Sequence, residues 1–217
     1  MNIIFGTAGF AREVDWLIYE VETAHNARFA TDYFVAEDSN EWVGKEINSH
    51  VVLSETIFFE RYSHEQNNYF VAVGSPILRE MIVNKITSSS SNPRFPNLIH
   101  PSVSFDHRKG KIQLGEGTML FSNTVVTTDV KIGKHVLVYT DCTIAHDSTV
   151  GDFTTLSPGV HISGNVNIQN KVFIGTGAVV LERIKISSMV TIGAGAVVIN
   201  DVNEPGVYVG VPAKIIR

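Results

Sequence analysis

The chain holds one cysteine, Cys142, in 217 residues. A lone thiol closes no intramolecular disulfide and cannot build a cysteine-rich zinc site. Basic charge is also short: 17 Lys+Arg stand against 22 Asp+Glu, a net charge of −5. That excludes a globally basic nucleic-acid binder. No apolar run approaches the roughly 18 residues of a membrane span, so no membrane partner is expected. The opening residues MNIIFGTAGFAREVDW carry Arg12, Glu13 and Asp15 where a secretory signal needs an apolar stretch. A soluble cytoplasmic protein is therefore expected. Apolar residues are not scarce, at 44 % against 18 % charged, which suffices for a core and excludes disorder. At about 1.4 typical domain lengths, one large domain or two small ones are allowed. Glycine outnumbers proline, 17 to 7, and the placement of those glycines carries information.

A repeat occupies the second half. Steps of six from Leu114 to Val198 meet fifteen residues, and all are Leu, Ile or Val. The residues four further on, from Thr118 to Val202, are all small or β-branched. The position after the aliphatic is often glycine: Gly115, Gly133, Gly151, Gly175 and Gly193. A period of six fits neither the 3.6 of a helix nor the 2 of a strand, but it fits a short strand plus a turn. The first and fifth slots point inward, and the corners between strands suit glycine's dihedral freedom. Three hexads close one triangular coil of 18 residues, so fifteen hexads make five coils stacked at about 4.8 Å. The run is unbroken from Leu114 to Val202, so no long loop interrupts it.

The first half is a different module. Asn2–Phe5 reads as a strand, followed by Gly6-Thr7-Ala8-Gly9-Phe10 and a helix over about 11–22 with Val14, Leu17, Ile18 and Val21 on one face. A strand over about 29–35 leads into Glu37-Asp38. Another over 69–73 leads into Gly74-Ser75-Pro76 and a helix over 77–86. Alternating strands and helices predict a small parallel α/β sheet. Ser88–Ser91, Pro93 and Pro96 punctuate the chain as a linker. The expected division is 1–87, a linker 88–100, a solenoid 101–203 and a tail 204–217. The Gly6/Gly9 turn lacks the third glycine of the dinucleotide fingerprint. It is compatible with a plain strand-to-helix turn or with an anion held at a helix N-terminus. Glu37 and Asp38 end a strand where a carboxylate could bond a base or ribose.

Eight histidines offer acid–base chemistry. His25, His50, His64 and His107 lie in polar stretches and read as surface residues, and His100 precedes Pro101 at the mouth of the solenoid. His146, His135 and His161 fall in the third, fourth and sixth slots of their hexads, which disfavours a shared metal site. His146 lies in a turn and is followed by Asp147. A carboxylate beside an imidazole raises its basicity and selects its tautomer. Gly164 lies 18 residues on and should stack over His146. Thr176 and Ala194 stack on each other at a different vertex. A site using both sets would combine neighbouring subunits, which predicts a cyclic oligomer. Cys142 fills an inward slot and is not a nucleophile.

Nearly the whole chain resembles the PglD/NeuD-type sugar acetyltransferases. The matching stretches are IIFGTAGFAREV, FVAED, FVAVGSPILREMI, IAHDSTVGDF, ISGNV and GVYVGVPAKII. The resemblance implies a small Rossmann-like α/β domain followed by a left-handed parallel β-helix, in a homotrimer with sites between subunits. It implies acetyl-CoA-dependent N-acetylation of a nucleotide-linked amino sugar, of the 4-amino-4,6-dideoxy kind, for surface-glycan or glycoprotein synthesis. No metal and no nucleic acid are implied. His146 would be the general base and Asp147 its orienting carboxylate. Ala8, Gly9, Phe10, Glu37, Asp38 and Gly74 would line the nucleotide-sugar pocket. Thr155, Gly164, Thr176, Ala194 and Lys214 would touch acetyl-CoA. The chain departs from the pattern at Thr155, where many members carry a second histidine, at Tyr139, where many carry Asn, and at Glu37, which replaces an Asp. O-acetylation of a sialic-acid-type sugar and a non-catalytic nucleotide-binding scaffold are the alternative readings.

Overall fold

The computed structural model describes residues 1–24 and 30–217, together with the backbone of His25. The chain divides into two compact units, Met1–Leu98 and Ile99–Arg217.

The first unit is a five-stranded sheet with three helices. Its elements are β1 (Asn2–Phe5), α1 (Gly9–His25), β2 (Tyr33–Ala36), β3 (Glu46–Ile47), β4 (His50–Ser54), α2 (Glu55–Tyr62), β5 (Asn68–Val71) and α3 (Pro76–Ser89). The strand order is β3-β4-β2-β1-β5, parallel except for the β3–β4 hairpin. The expected strand over 29–35 appears as β2, and Phe29 lies outside the described residues. The β3–β4 hairpin and α2 have no counterpart among the elements expected from the sequence. The run ETIFFERY packs Phe58 inward and carries two adjacent phenylalanines, a pattern that does not distinguish a short helix from a strand. Of the segment 88–100, the residues through Leu98 belong to this unit. Residues 88 and 89 finish α3, and the Tyr69 N–H donates to the Arg94 carbonyl at 2.8 Å.

The second unit is a triangular parallel β-helix. Each coil gives one short strand to each of three faces: the first contains Leu137–Val138 and Thr155–Leu156, the second Thr143–Ile144 and His161–Ile162, the third Thr149–Val150 and Asn167–Ile168. Pairing runs from residue i to i+18, as in Thr143↔His161 and Thr149↔Asn167. Every aliphatic of the repeat except the half-buried Leu114 is buried, and so is every fifth-slot residue.

Hydroxyls in the fifth slot are buried and bonded. Ser148 Oγ donates to the Ser163 carbonyl at 3.1 Å and accepts from the Val166 N–H at 3.1 Å. Thr118 does the same with Gly133 and Val136. A small polar residue thus tolerates the core because the next coil satisfies it.

The structure alters the reading of the corners. The left-handed conformation falls in the fourth slot, at every sixth residue from Gly117 to Gly195, and its occupants include Asn123, Asp141, Asp147 and Asn165. Asn and Asp accept that conformation most readily after glycine. The second-slot glycines serve close stacking instead: a Cβ on Gly115 would lie 2.5 Å from the Gly133 carbonyl carbon. The solenoid also begins before Leu114, because Ser104–Phe105 pairs with Val125–Val126 across 21 residues. A three-residue enlargement between Phe105 and Leu114, where Arg108 pairs with Asp106 at 2.6 Å, hides that coil from a strict six-residue count. At the other end Gly206–Val209 and Lys214–Ile215 form an antiparallel pair that closes the stack.

Cys142 is fully buried and its Sγ faces the Ser157 carbonyl at 3.2 Å. Burial pushes its thiol up from 9.0 to about 11. A native thiol below that range is protonated and inaccessible, so an aromatic disulfide reagent at pH 8 should leave it intact and label one equivalent after denaturation. Because the folded state holds the proton more tightly, the contribution to stability is complete below pH 9 and lost as pH rises toward about 11. Chemical denaturation at pH 8 and pH 11, compared between wild type and Cys142→Ala, measures that loss.

Candidate active site

Two groups of residues from the sequence reading are brought together, one in each unit. In the first unit the C-terminal ends of β1, β2 and β5 lie side by side, the place where open α/β sheets receive ligands. Gly6 leaves β1 at φ +131°, and a Cβ there would sit 2.8 Å from the Ala72 carbonyl oxygen, so only glycine fits. Ala8 and Gly9 are exposed and Phe10 is half-buried at the start of α1. A side chain on Gly9 would meet only Arg12, at 3.9 Å, so packing does not require that glycine. Its small size leaves the first turn of α1 open to solvent.

Gly74 follows β5 and is held from beneath by Arg79. The Arg79 side chain is only 1 % exposed, and its Nη1 donates to the Val73 carbonyl at 2.7 Å and the Gly74 carbonyl at 3.1 Å. Nothing in the sequence around Arg79 marks this helical arginine for burial.

Glu37 and Asp38 follow β2 at the edge of a cavity of ≈ 500 Å³ that Thr56, Phe59 and Lys85 also line. Asp38 has a job within the fold. It accepts from the Thr56 N–H at 3.0 Å and from the Thr56 hydroxyl, at the N-terminus of α2. Those bonds from Thr56 hold its carboxyl below the usual carboxylate range. Glu37 and Asp38 are both exposed. Lys85 is ion-paired with Glu55 across the same cavity.

In the second unit His146 and Asp147 occupy one corner, between the second and third faces. Consecutive residues on a strand point apart, but Asp147 has φ +61°, and this turn brings its carboxylate back to the imidazole. His146 Nδ1 and Asp147 Oδ2 lie 2.9 Å apart, with both side chains 61 % exposed. A carboxylate only accepts, so Nδ1 carries the proton and Nε2 is left as the basic nitrogen. Gly164 stacks over that ring, and the Asn165 N–H donates to the His146 carbonyl at 2.8 Å. A Cβ on Gly164 would come within 2.6 Å of His146 Cε1 and 2.7 Å of Nε2. Glycine is what keeps the basic edge of the ring open.

Thr176 and Ala194 stack one coil apart at the corner between the first and second faces, both exposed, with the Gly195 N–H donating to the Thr176 carbonyl at 2.8 Å. They share no corner with His146. Thr155 lies on the first face and is 1 % exposed, so its hydroxyl offers no open contact to a ligand in the single chain. Lys214 is exposed in the terminal antiparallel pair. His161 Nδ1 lies 3.0 Å from the Thr143 hydroxyl and His100 Nδ1 2.8 Å from the Ser102 hydroxyl, each in its own local pair. Among the described residues no group of three or more His, Cys, Asp and Glu side chains could hold a metal ion.

No family model matches the chain, and no curated protein matches it by sequence. Solved structures match it over its whole length. The acetyltransferase domain of PglB from Neisseria gonorrhoeae FA1090, in complex with acetyl coenzyme A, superposes with a TM-score of 0.85 at 28 % identity, covering 99 % of this chain and 98 % of that one. A mutant of the perosamine N-acetyltransferase from Caulobacter crescentus, in complex with CoA and GDP-perosamine, gives 0.85 at 25 % identity, covering 100 % and 96 %. WeeI from Acinetobacter baumannii AYE gives 0.84 at 26 %, covering 100 % and 99 %. The chain has the two-module architecture of the hexapeptide-repeat sugar acetyltransferases, a small α/β domain and a left-handed parallel β-helix.

The bonds of Asp38 to α2 are testable without any ligand. Asp38→Ala should lower the melting temperature at pH 7. Because the folded carboxyl is held below 3.8, the difference should persist above that value and close as pH falls through the lowered one. Circular-dichroism melts of both proteins at pH 7 and pH 3 check it.

Proposed function

We infer that this protein is an acetyl-CoA-dependent N-acetyltransferase acting on a nucleotide-linked amino sugar. The observation that carries the reading is the exposed His146–Asp147 pair, 2.9 Å apart, with the bare Gly164 over the basic edge of the ring. The solved structures of the same two-module fold, bound to acetyl coenzyme A in one case and to CoA with GDP-perosamine in another, supply the chemical class.

The reaction is direct transfer. The neutral amine of the sugar attacks the thioester carbonyl, forming the C–N bond while His146 Nε2 accepts the amine's proton. Asp147 keeps the proton on Nδ1 and stabilises the imidazolium that forms. The backbone N–H of Gly164 is the candidate donor to the developing oxyanion. The tetrahedral intermediate then expels the coenzyme A thiolate, which takes up a proton. Holding both substrates side by side supplies a further share of the rate.

The nucleotide end of the acceptor is assigned to the first unit: Ala8, Gly9, Phe10 and Gly74 at the ends of β1 and β5 for the diphosphate, Glu37 for the base or ribose, and Asp38 as the residue that holds α2 in place beside it. The donor is assigned to the solenoid, to Gly164, Thr176, Ala194 and Lys214. His146 and the Thr176–Ala194 pair lie on corners flanking the second face. A cyclic homotrimer would bring one protomer's His146 corner against its neighbour's Thr176 corner, and that is the assembly proposed. The sugar proposed is a 4-amino-4,6-dideoxy sugar, and the compartment is the cytoplasm.

Acetyl-CoA offered with a panel of UDP-, dTDP- and GDP-4-amino sugars should release free thiol with at least one acceptor. On that acceptor His146→Ala should lower kcat by roughly 10²- to 10⁴-fold with little change in KM. Gly164→Ala should also lower kcat, because its methyl occupies the space over the imidazole. Full turnover by His146→Ala would overturn the mechanism.

A further inference from the structure

The second and third faces of the solenoid differ in what they turn outward. On the third face the outward column of strand residues is Gln113, Lys131, Thr149, Asn167 and Lys185, polar throughout. On the second face the same column is Val125, Thr143, His161, Val179 and Val197. Leu181 and Ile199, two residues after Val179 and Val197, add to that face and are 41 % and 43 % exposed. An aliphatic face open to water marks an interface. His161 is the titratable residue of its column.

The second face is also the one flanked by the His146 corner and the Thr176 corner. Where each protomer sets its His146 corner against its neighbour's Thr176 corner, three second faces enclose the threefold axis. This placement rests on the cyclic trimer of the proposed function. Six residues to a side at about 3.3 Å each make a face no wider than roughly 20 Å, so the centre of a triangle of such faces lies roughly 5–6 Å in front of each. His161 occupies the sixth slot, beside the middle of its face, so three copies of its ring converge on the axis. The distance is close to the reach of a histidine side chain extended by a metal–nitrogen bond of ~2.0–2.1 Å.

His161 is exposed in the single chain, and its Nδ1 lies 3.0 Å from the hydroxyl of Thr143, its pairing partner one coil below. With Nδ1–H donating to that hydroxyl, the ring is held in place and Nε2 keeps its lone pair, the arrangement of a metal-bound imidazole. Val179 pairs above it. Apolar neighbours disfavour a charged ring, so the three imidazoles meet as neutral donors. Three neutral imidazoles and a water make a tetrahedral set for an ion such as Zn²⁺, whereas Mg²⁺ and Ca²⁺ take oxygen ligands. We propose that three copies of His161, one from each protomer, form a site for one divalent ion of the Zn²⁺ class on the threefold axis, binding through Nε2 with Thr143 holding each ring. One chain supplies one ligand, so the site exists only between copies.

The test uses the full chain without an affinity tag. Light scattering gives its mass, and Co²⁺ is then titrated in and followed by the visible absorption that tetrahedral nitrogen ligation produces. The expected result is a trimer whose cobalt signal saturates at one ion per three chains. Zn²⁺ should displace the cobalt and raise the melting temperature. His161→Gln should lose the signal. Thr143→Val should keep the trimer and weaken cobalt binding roughly 10- to 100-fold. A trimer with no cobalt signal, saturation at one ion per chain, a signal retained in His161→Gln, or unchanged affinity in Thr143→Val each overturns the metal site and leaves the trimer and the acetyl transfer standing. A mass other than that of three chains overturns the assembly and the site together, while thiol release from acetyl-CoA still tests the reaction separately.

Discussion

The constraint on which the second unit depends is the hydrogen bonding of one coil to the next across 18 residues. Each short strand bonds only to its counterparts above and below, so a coil alone has neither partners nor a closed core. Every choice at the corners follows from keeping those coils in contact. Inward slots are aliphatic or small. Buried hydroxyls such as Ser148 and Thr118 are tolerated because the next coil supplies their partners. Second-slot glycines let the backbones approach, and fourth-slot residues turn the chain through the left-handed region.

The candidate catalytic pair is a product of the same constraint. His146 sits in the third slot, where side chains leave the triangle, and Asp147 in the fourth, where the backbone turns back. The left-handed turn at Asp147, needed by the fold in any case, sets the carboxylate on the imidazole. The 18-residue stacking then puts residue 164 over the ring, so the identity of one residue a full coil away decides whether the basic nitrogen is open. A rigid repeat gives such a site precision without a dedicated supporting loop.

The first unit shows the opposite economy, with each loop held by its own device. Gly6 turns because no side chain fits beside Ala72. The loop after β5 rests on the buried Arg79, and the start of α2 rests on Asp38. Of these, Gly6 was visible in the sequence as a turn at a strand end. The other two were not, because an arginine or an aspartate in a polar stretch has the same sequence signature whether it faces solvent or a backbone carbonyl. Asp38 has the position of a ligand contact, and its bonds to Thr56 show it serving the fold as well. Thr155, expected at the acyl donor, is buried in the single chain.

The six-residue spacing by itself determined the parallel triangular solenoid, its inward slots and the stacking of Gly164 on His146, since a strict period leaves side chains no other face to occupy. The alternation of apolar strands and helical stripes determined the α/β character of the first half. Only the tertiary structure decided where the solenoid begins, because a three-residue enlargement breaks the count while the hydrogen bonds continue. It alone decided which glycines turn the chain and which let coils touch, because dihedral angle and close approach leave the same letter in the sequence. It alone also decided the burial of Arg79, because the sequence does not show that α3 turns this guanidinium back onto the Val73 and Gly74 carbonyls.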